Sequence, residues 1–174
     1  FEVLKRIGSI IEYPIFYDKL TARETLQLHC DYMGYYNQKE IEQVLDMVSL
    51  VNTGDKRVKE FSLGMKQRLG IARAIITKPE LLILDEPING LDPQGIKEMR
   101  DLFRMLSKEY GITIIVSSHI LGEIEQLADT IGVINNGKLI QEISLAQLTR
   151  SQTDYIELVV QDIQKTSFLL SEKL

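Results

Sequence analysis

Asp85 and Glu86 stand side by side directly after four aliphatic residues, Leu81-Leu82-Ile83-Leu84, and Pro87 follows them. Two carboxylates where a hydrophobic strand stops can divide the work of one reaction. One holds a metal that offsets the charge of a phosphate, and the other orients and deprotonates a water. A second apolar run, Thr113 to Val116, ends in Ser117-Ser118-His119. Taken alone, the acidic pair reads as a solvated turn and the histidine as a helix cap or a packed ring. A common address links them. Parallel strands point the same way, so Asp85, Glu86 and His119 converge on one rim of the sheet, and ligands of open α/β sheets collect beyond the carboxyl ends of the strands. Phosphoryl transfer to water is the chemistry this set suits, with Glu86 as the base and His119 touching the transferred phosphate.

The elements that must position these residues are legible in the periodicity. A strand over Arg6 to Ile11 ends at Tyr13-Pro14, because proline cannot donate to a ladder and pushes its predecessor away from helix. The period then becomes helical. Thr21 with Glu24 forms a capping box for a helix from about Ala22 to Met33, and Asn37 with Glu40 repeats the device for a helix bearing Ile41, Val44, Leu45 and Val48. Ser62 caps a third helix running to about Thr77. Beyond it, Leu81 to Leu84, Thr113 to Val116 and Ile131 to Ile134 are continuous apolar runs separated by helical stretches, the grammar of a parallel sheet buried on both faces. The helix after the first of them starts with Asp92 as cap and Pro93 in its first turn, and Ile96, Met99, Leu102, Phe103 and Leu106 share a face. Asn136-Gly137 marks a tight hairpin into Leu139 to Ile143, and a further strand is expected at Tyr155 to Val160.

Composition narrows the field. The 174 residues are 44% hydrophobic and 26% charged, the makeup of a soluble globular protein. A folded chain of this length removes roughly 70% of its unfolded surface from water, so no metal or disulfide staple is needed. Cys30 is the sole cysteine, which favours a reducing, cytoplasmic setting and speaks against a zinc module. A net charge of −5 argues against a dedicated nucleic-acid surface. No apolar run approaches the roughly 18 residues of a membrane span, so neither a span nor a signal peptide is expected. Phe1 opens inside an apolar pattern, and the amphipathic run Ile163, Phe168, Leu169, Leu170, Leu174 stops without a cap. Both ends therefore read as cuts in a longer protein.

At this point the residues carry a resemblance. Leu81 to Pro87 resembles the Walker B strand of an ABC-type ATPase, and Asn89-Gly90-Leu91-Asp92 resembles its D-loop. His119 sits at its switch-histidine position, and Phe61 to Leu69 resembles its signature sequence. The order and gaps fit, over about residues 3 to 150. The resemblance implies an α/β fold of the P-loop NTPase-like, RecA-like type, a parallel sheet with an inserted helical subdomain, truncated at the N-terminus. It divides the chain into a Q-loop strand and linker (1–19), a helical signature subdomain (20–77), a catalytic core (78–150) and the start of a C-terminal extension (151–174). It also implies ATP and Mg2+ as ligands, Glu86 and His119 as catalytic groups, Asp85 and Glu12 as metal ligands, and Ser62, Leu63, Gly64, Met65 and Asp92 as nucleotide contacts. A helix N-terminus whose serine is followed by glycine has free amides for phosphate, and in the family it caps the nucleotide of a second ATPase subunit in a two-fold dimer. A separate transmembrane permease is the other implied partner, which places the subunit on the cytoplasmic face of the membrane.

Departures from the family pattern have consequences. Leu63 and Met65 replace the usual glycine and glutamine around Gly64, leaving the Ser62 hydroxyl and the backbone amides as the available ligands. Glu12 stands where the family has its Q-loop glutamine; a carboxylate can bind magnesium but cannot donate an amide hydrogen bond. The combination Ile-Gly-Ser-Ile-Ile-Glu-Tyr-Pro with Ser-Leu-Gly-Met-Lys-Gln resembles ATPases of bacitracin-type and lantibiotic-immunity exporters, which implies export of a peptide antibiotic or similar amphiphile. The alternatives are a soluble ABC ATPase acting on ribosomes or DNA and a non-catalytic interaction fragment. The short interval from Glu12 to Ser62 leaves no room for the coiled-coil insertion of the DNA-repair type. No Gly-x-x-x-x-Gly-Lys-Ser/Thr occurs in the 174 residues, and that motif supplies the amide cradle and lysine for the β- and γ-phosphates. In the family its strand lies between Thr113–Val116 and Ile131–Ile134, so unpaired ladders are expected there, with local disorder or non-native association. These residues alone are expected to bind ATP weakly or not at all; micromolar affinity for ATP-magnesium in a calorimeter would contradict that.

Overall fold

The computed structural model describes residues 3–11, 13–35 and 37–151. The backbone divides into two units, Phe1–Leu127 and Ala128–Leu174. Glu12, Tyr36 and the strand expected at Tyr155 to Val160 lie outside the described residues.

In the first unit, β1 (Ile7–Ile10), β2 (Leu81–Asp85) and β3 (Thr113–Ser117) form a parallel sheet in the order β1-β2-β3. Ile7 pairs with Leu81, and Leu81 with Thr113, so the three strands start level. Parallel neighbours require crossovers. Three helices, α1 (Ala22–Met33), α2 (Gln38–Met47) and α3 (Leu63–Ile75), link β1 to β2, and α4 (Pro93–Lys108) links β2 to β3. The central strand buries Leu82 and Leu84, and α4 buries Met99, Leu102, Phe103 and Leu106 in the same core. A short α5 (Leu121–Glu125) closes the unit.

Local chemistry sets the helix boundaries. Thr21 and Glu24 make both bonds of the expected capping box on α1, and Gly34 ends it in the left-handed conformation at φ 66°. Asp92 accepts from the Gly95 N–H at 2.9 Å at the start of α4. The second box does not form. Asn37 is the N-cap of α2 without a side-chain cap bond, and the Glu40 carboxylate accepts from Lys78 Nζ at 2.6 Å and from the Tyr35 hydroxyl. Lys78 holds the Glu40 carboxyl below its ordinary range, and Glu40 pushes the Tyr35 hydroxyl up to about 12.

The second unit holds a hairpin. β4 (Thr130–Asn135) pairs antiparallel with β5 (Lys138–Ser144), with an irregularity between Val133 and Ile134, and α6 (Leu145–Ser151) follows. Asn136 and Gly137 take φ of 48° and 73°, as a type I′ turn requires. The hairpin expected at Asn136-Gly137 therefore forms, with Ile131–Ile134 in its first strand. Only Ile131 in this run is buried, and Val133 and Ile134 are exposed. A two-residue Asn-Gly turn returns the chain onto its own ladder, so the pairing is antiparallel. β3 also departs from burial on both faces: it alternates, with Ile115 exposed. Among the described residues β3 pairs with β2 alone, which leaves its other edge open as expected. Among the described residues, no helix is long and apolar enough to cross a membrane.

At Gly8, β1 lies close against the backbone of α3. A Cβ on Gly8 would collide with the Ala74 carbonyl oxygen, and one on Gly70 would lie 2.9 Å from Pro14 Cγ. Backbone atoms cannot swing aside, so Gly8→Ala is expected to destabilise the fold by about 1–3 kcal/mol through overpacking. The midpoint of urea unfolding measures it, and a midpoint equal to wild type would show that α3 has room to shift.

Candidate functional site

The register that ends β2 at Asp85 sets Ser117 directly beside it on β3. Their side chains therefore stand on the same face of the sheet. The Ser117 hydroxyl donates to Asp85 Oδ1 at 2.5 Å, and Ser117 Oγ accepts the backbone N–H of Glu86 at 3.0 Å. Glu86 is held at φ 46°, a left-handed conformation that costs a non-glycine residue roughly 1–2 kcal/mol. The N–H bond to Ser117 restrains it.

This bend aims the Glu86 side chain across the rim. Its Oε1 lies 3.0 Å from His119 Nδ1. A carboxylate only accepts, so in this contact Nδ1 carries the proton and Nε2 is the nitrogen left for a ligand. The imidazole is 64% exposed and the Glu86 side chain 31%, so the pair opens to solvent on one side. Glu86 Oε2 is nevertheless buried and, among the described residues, has no hydrogen-bond partner. The Ser118 hydroxyl accepts the Ile120 N–H at 3.1 Å and shapes the turn carrying His119.

A second cluster forms at the start of α3. Ser62 is the N-cap and its hydroxyl accepts the Met65 N–H at 3.2 Å. Leu63, Gly64 and Met65 follow, half-buried, at the positive end of a 13-residue helix. The segment leading to Asp92 packs against this turn. Gly90 sits at φ 75°, where a Cβ would lie 3.1 Å from Leu63 Cδ2 and 3.5 Å from the Tyr13 hydroxyl, and a Cβ on Gly64 would lie 3.7 Å from Leu91. Arg68 on α3 pairs with Glu98 on α4 at 3.0 Å. The structure thus brings Asp85, Glu86 and His119 together at one rim and groups Ser62, Leu63, Gly64 and Met65 with the approach to Asp92. Of the expected site residues, Glu12 alone falls outside the described positions. Sequence reading passed over Ser117 as a functional residue, since nothing local distinguishes it from any serine at a strand end. Among the described residues, no group of three or more His, Cys, Asp or Glu side chains could hold a metal ion by itself.

Residues 2–89, just over half of the chain, match the family described as ABC transporter. The chain belongs to the ABC transporter family. Over all 174 residues it is 63% identical to the uncharacterized ABC transporter ATP-binding protein YcbN of Bacillus subtilis (strain 168), and it covers 57% of that protein. It is 53% identical over 171 residues to the bacitracin transport ATP-binding protein BcrA of Bacillus licheniformis, covering 98% of this chain and 56% of the relative. The solved structure of CbiO1 from Clostridium perfringens, part of the ABC transporter complex CbiONQ, superposes with a TM-score of 0.76 at 26% identity, over 87% of this chain and 62% of that one. The chain spans little more than half the length of these curated relatives. The fold is accordingly the α/β, P-loop NTPase-like fold of ABC ATP-binding subunits, and the BcrA match agrees with the bacitracin-type resemblance.

In this ABC transporter chain the contact between the signature-like turn and the D-loop-like segment depends on Gly90. Gly90→Ala is expected to destabilise the fold by about 1–2 kcal/mol, the cost of a side chain in the left-handed region, and to displace Leu63. Chemical denaturation with the Leu63 methyl resonances as reporter measures both; an unchanged midpoint with unmoved methyls would contradict it.

Proposed function

We propose that this chain is part of an ATP-hydrolysing subunit that drives an ABC transporter, with a peptide antibiotic or similar amphiphile as the exported substrate. The observation that carries the hydrolytic reading is the 3.0 Å contact between Glu86 and His119 at the carboxyl rim of a parallel sheet. The donor set fits magnesium-ATP as the substrate. Among the described residues, buried Glu86 Oε2 has no hydrogen-bond partner, a place for a polar atom from outside the chain. Asp85 would hold the magnesium ion, which offsets the negative charge of the phosphates.

The roles follow from reach and charge. Glu86 accepts a proton from a water whose oxygen forms a bond to the γ-phosphorus while the bond to the β-phosphate oxygen breaks; the products are ADP, phosphate and the proton that Glu86 releases. His119 is tethered through Nδ1 and, with its other nitrogen also carrying a proton, donates from Nε2 to the transferred phosphate. The amides after Ser62, with Asp92, serve the nucleotide held by a second ATPase subunit, and the helical region 20–77 faces a separate permease at the inner face of the membrane. The similarity to BcrA supports transport over action on ribosomes or DNA.

In the full-length protein, Glu86→Gln should lower ATP turnover by about 10² to 10⁴, the usual worth of a general base, while ATP binding persists; full turnover would remove Glu86 from that role. His119→Ala should slow turnover as well, and a wild-type rate would return the ring to a structural part. Cells lacking the protein should be more sensitive to bacitracin-like peptides. Unchanged sensitivity to a panel of them would exclude that substrate class.

A further inference from the structure

We infer that Ser117 is a positioning residue for hydrolysis: its hydroxyl ties Asp85 to the main chain of Glu86 and thereby holds the Glu86 carboxylate against His119. The inference rests on the reading of Glu86 as the base. One oxygen makes both bonds, donating to Asp85 Oδ1 at 2.5 Å and accepting the Glu86 N–H at 3.0 Å. The residue whose N–H it holds is in the left-handed region at φ 46°, a conformation that persists only where its surroundings enforce it. Relaxation of that angle would swing the Glu86 side chain off the line to His119 Nδ1. The hydroxyl belongs to β3, whose register with β2 is fixed from Leu81–Thr113 through Asp85–Ser117, so it is anchored independently of the bend it restrains. Alanine has no hydroxyl; threonine keeps one on a residue type well suited to a strand, and valine keeps that shape without the oxygen.

The test uses the full-length protein with Ser117→Ala, Ser117→Thr and Ser117→Val, each checked for an unchanged unfolding midpoint. Steady-state ATP hydrolysis should show kcat lowered about 10- to 100-fold in the alanine and valine variants, the usual effect of removing a residue that orients a reacting group. KM should stay within about twofold, because the loss is of an interaction made in the transition state. Ser117→Thr should recover most of kcat. Selective 15N labelling of histidine supplies a readout independent of turnover: the His119 Nδ1 resonance should lose its carboxylate-bonded position in the alanine and valine variants and keep it with threonine. Wild-type kcat and an unmoved His119 signal in Ser117→Ala would overturn the inference, as would equal losses in the threonine and valine variants. Glu86→Gln, measured alongside, separates the two claims. If it retains full turnover, the base reading falls and takes the role of Ser117 with it. If it is inactive while Ser117→Ala is wild type, only the inference about Ser117 fails.

Discussion

β2 and β3 run parallel with Leu81 opposite Thr113, and from that register Asp85 and Ser117 reach the sheet edge at the same level. The remaining geometry of the rim descends from it. One hydroxyl bridges the two strand ends, the chain bends sharply at Glu86, and the carboxylate meets His119 from the next loop. A slip of one residue would turn Ser117 to the opposite face and leave Asp85 opposite a different side chain, since side chains alternate across a strand. Burial protects the register: Leu82 and Leu84 are fully enclosed, in the same core as Met99 and Phe103 of α4. Core packing thus acts on chemistry by fixing where strands end.

Close approach governs the helical region in the same way. Gly8 lets β1 lie against the Ala74 carbonyl, and Gly70 gives Pro14 its place. α3 is therefore fixed against the sheet at its middle and end, and its first turn rests on Gly90 and Leu91. The first turn of α3 lies beside the segment that leads from Glu86 to Asp92. A displacement of α3 would be felt at Gly90, four residues from Glu86. This is a short physical route between a signature-like helix and the rim.

Much of this was legible in the residues themselves, because the responsible signals are local. Thr21 with Glu24, Asp92 with Pro93, and Asn136-Gly137 each act within a few positions, and each forms as read. The convergence of Asp85, Glu86 and His119 followed from one rule about parallel strands. Long-range competition was not legible. Glu40 has the right spacing to complete a capping box, yet Asn37 makes no side-chain cap bond and the Glu40 carboxylate accepts from Lys78, a residue distant in the chain. The run Ile131–Ile134 has the apolar content of a strand buried on both faces, yet only Ile131 of it is buried. Ser117 escaped notice because its two bonds cross between strands, and only the register reveals what lies beside it.

The central claim is that Glu86 and His119 act on one phosphate. A crystal structure of the full-length Glu86→Gln protein with magnesium-ATP tests it most directly. The account predicts the γ-phosphate at the rim of β2 and β3, with the residue-86 side chain and His119 Nε2 both within about 3.5 Å of it or of its attacking water. Nucleotide bound with His119 and residue 86 on different sides of the phosphate chain, neither within reach of the γ-phosphate, would contradict it.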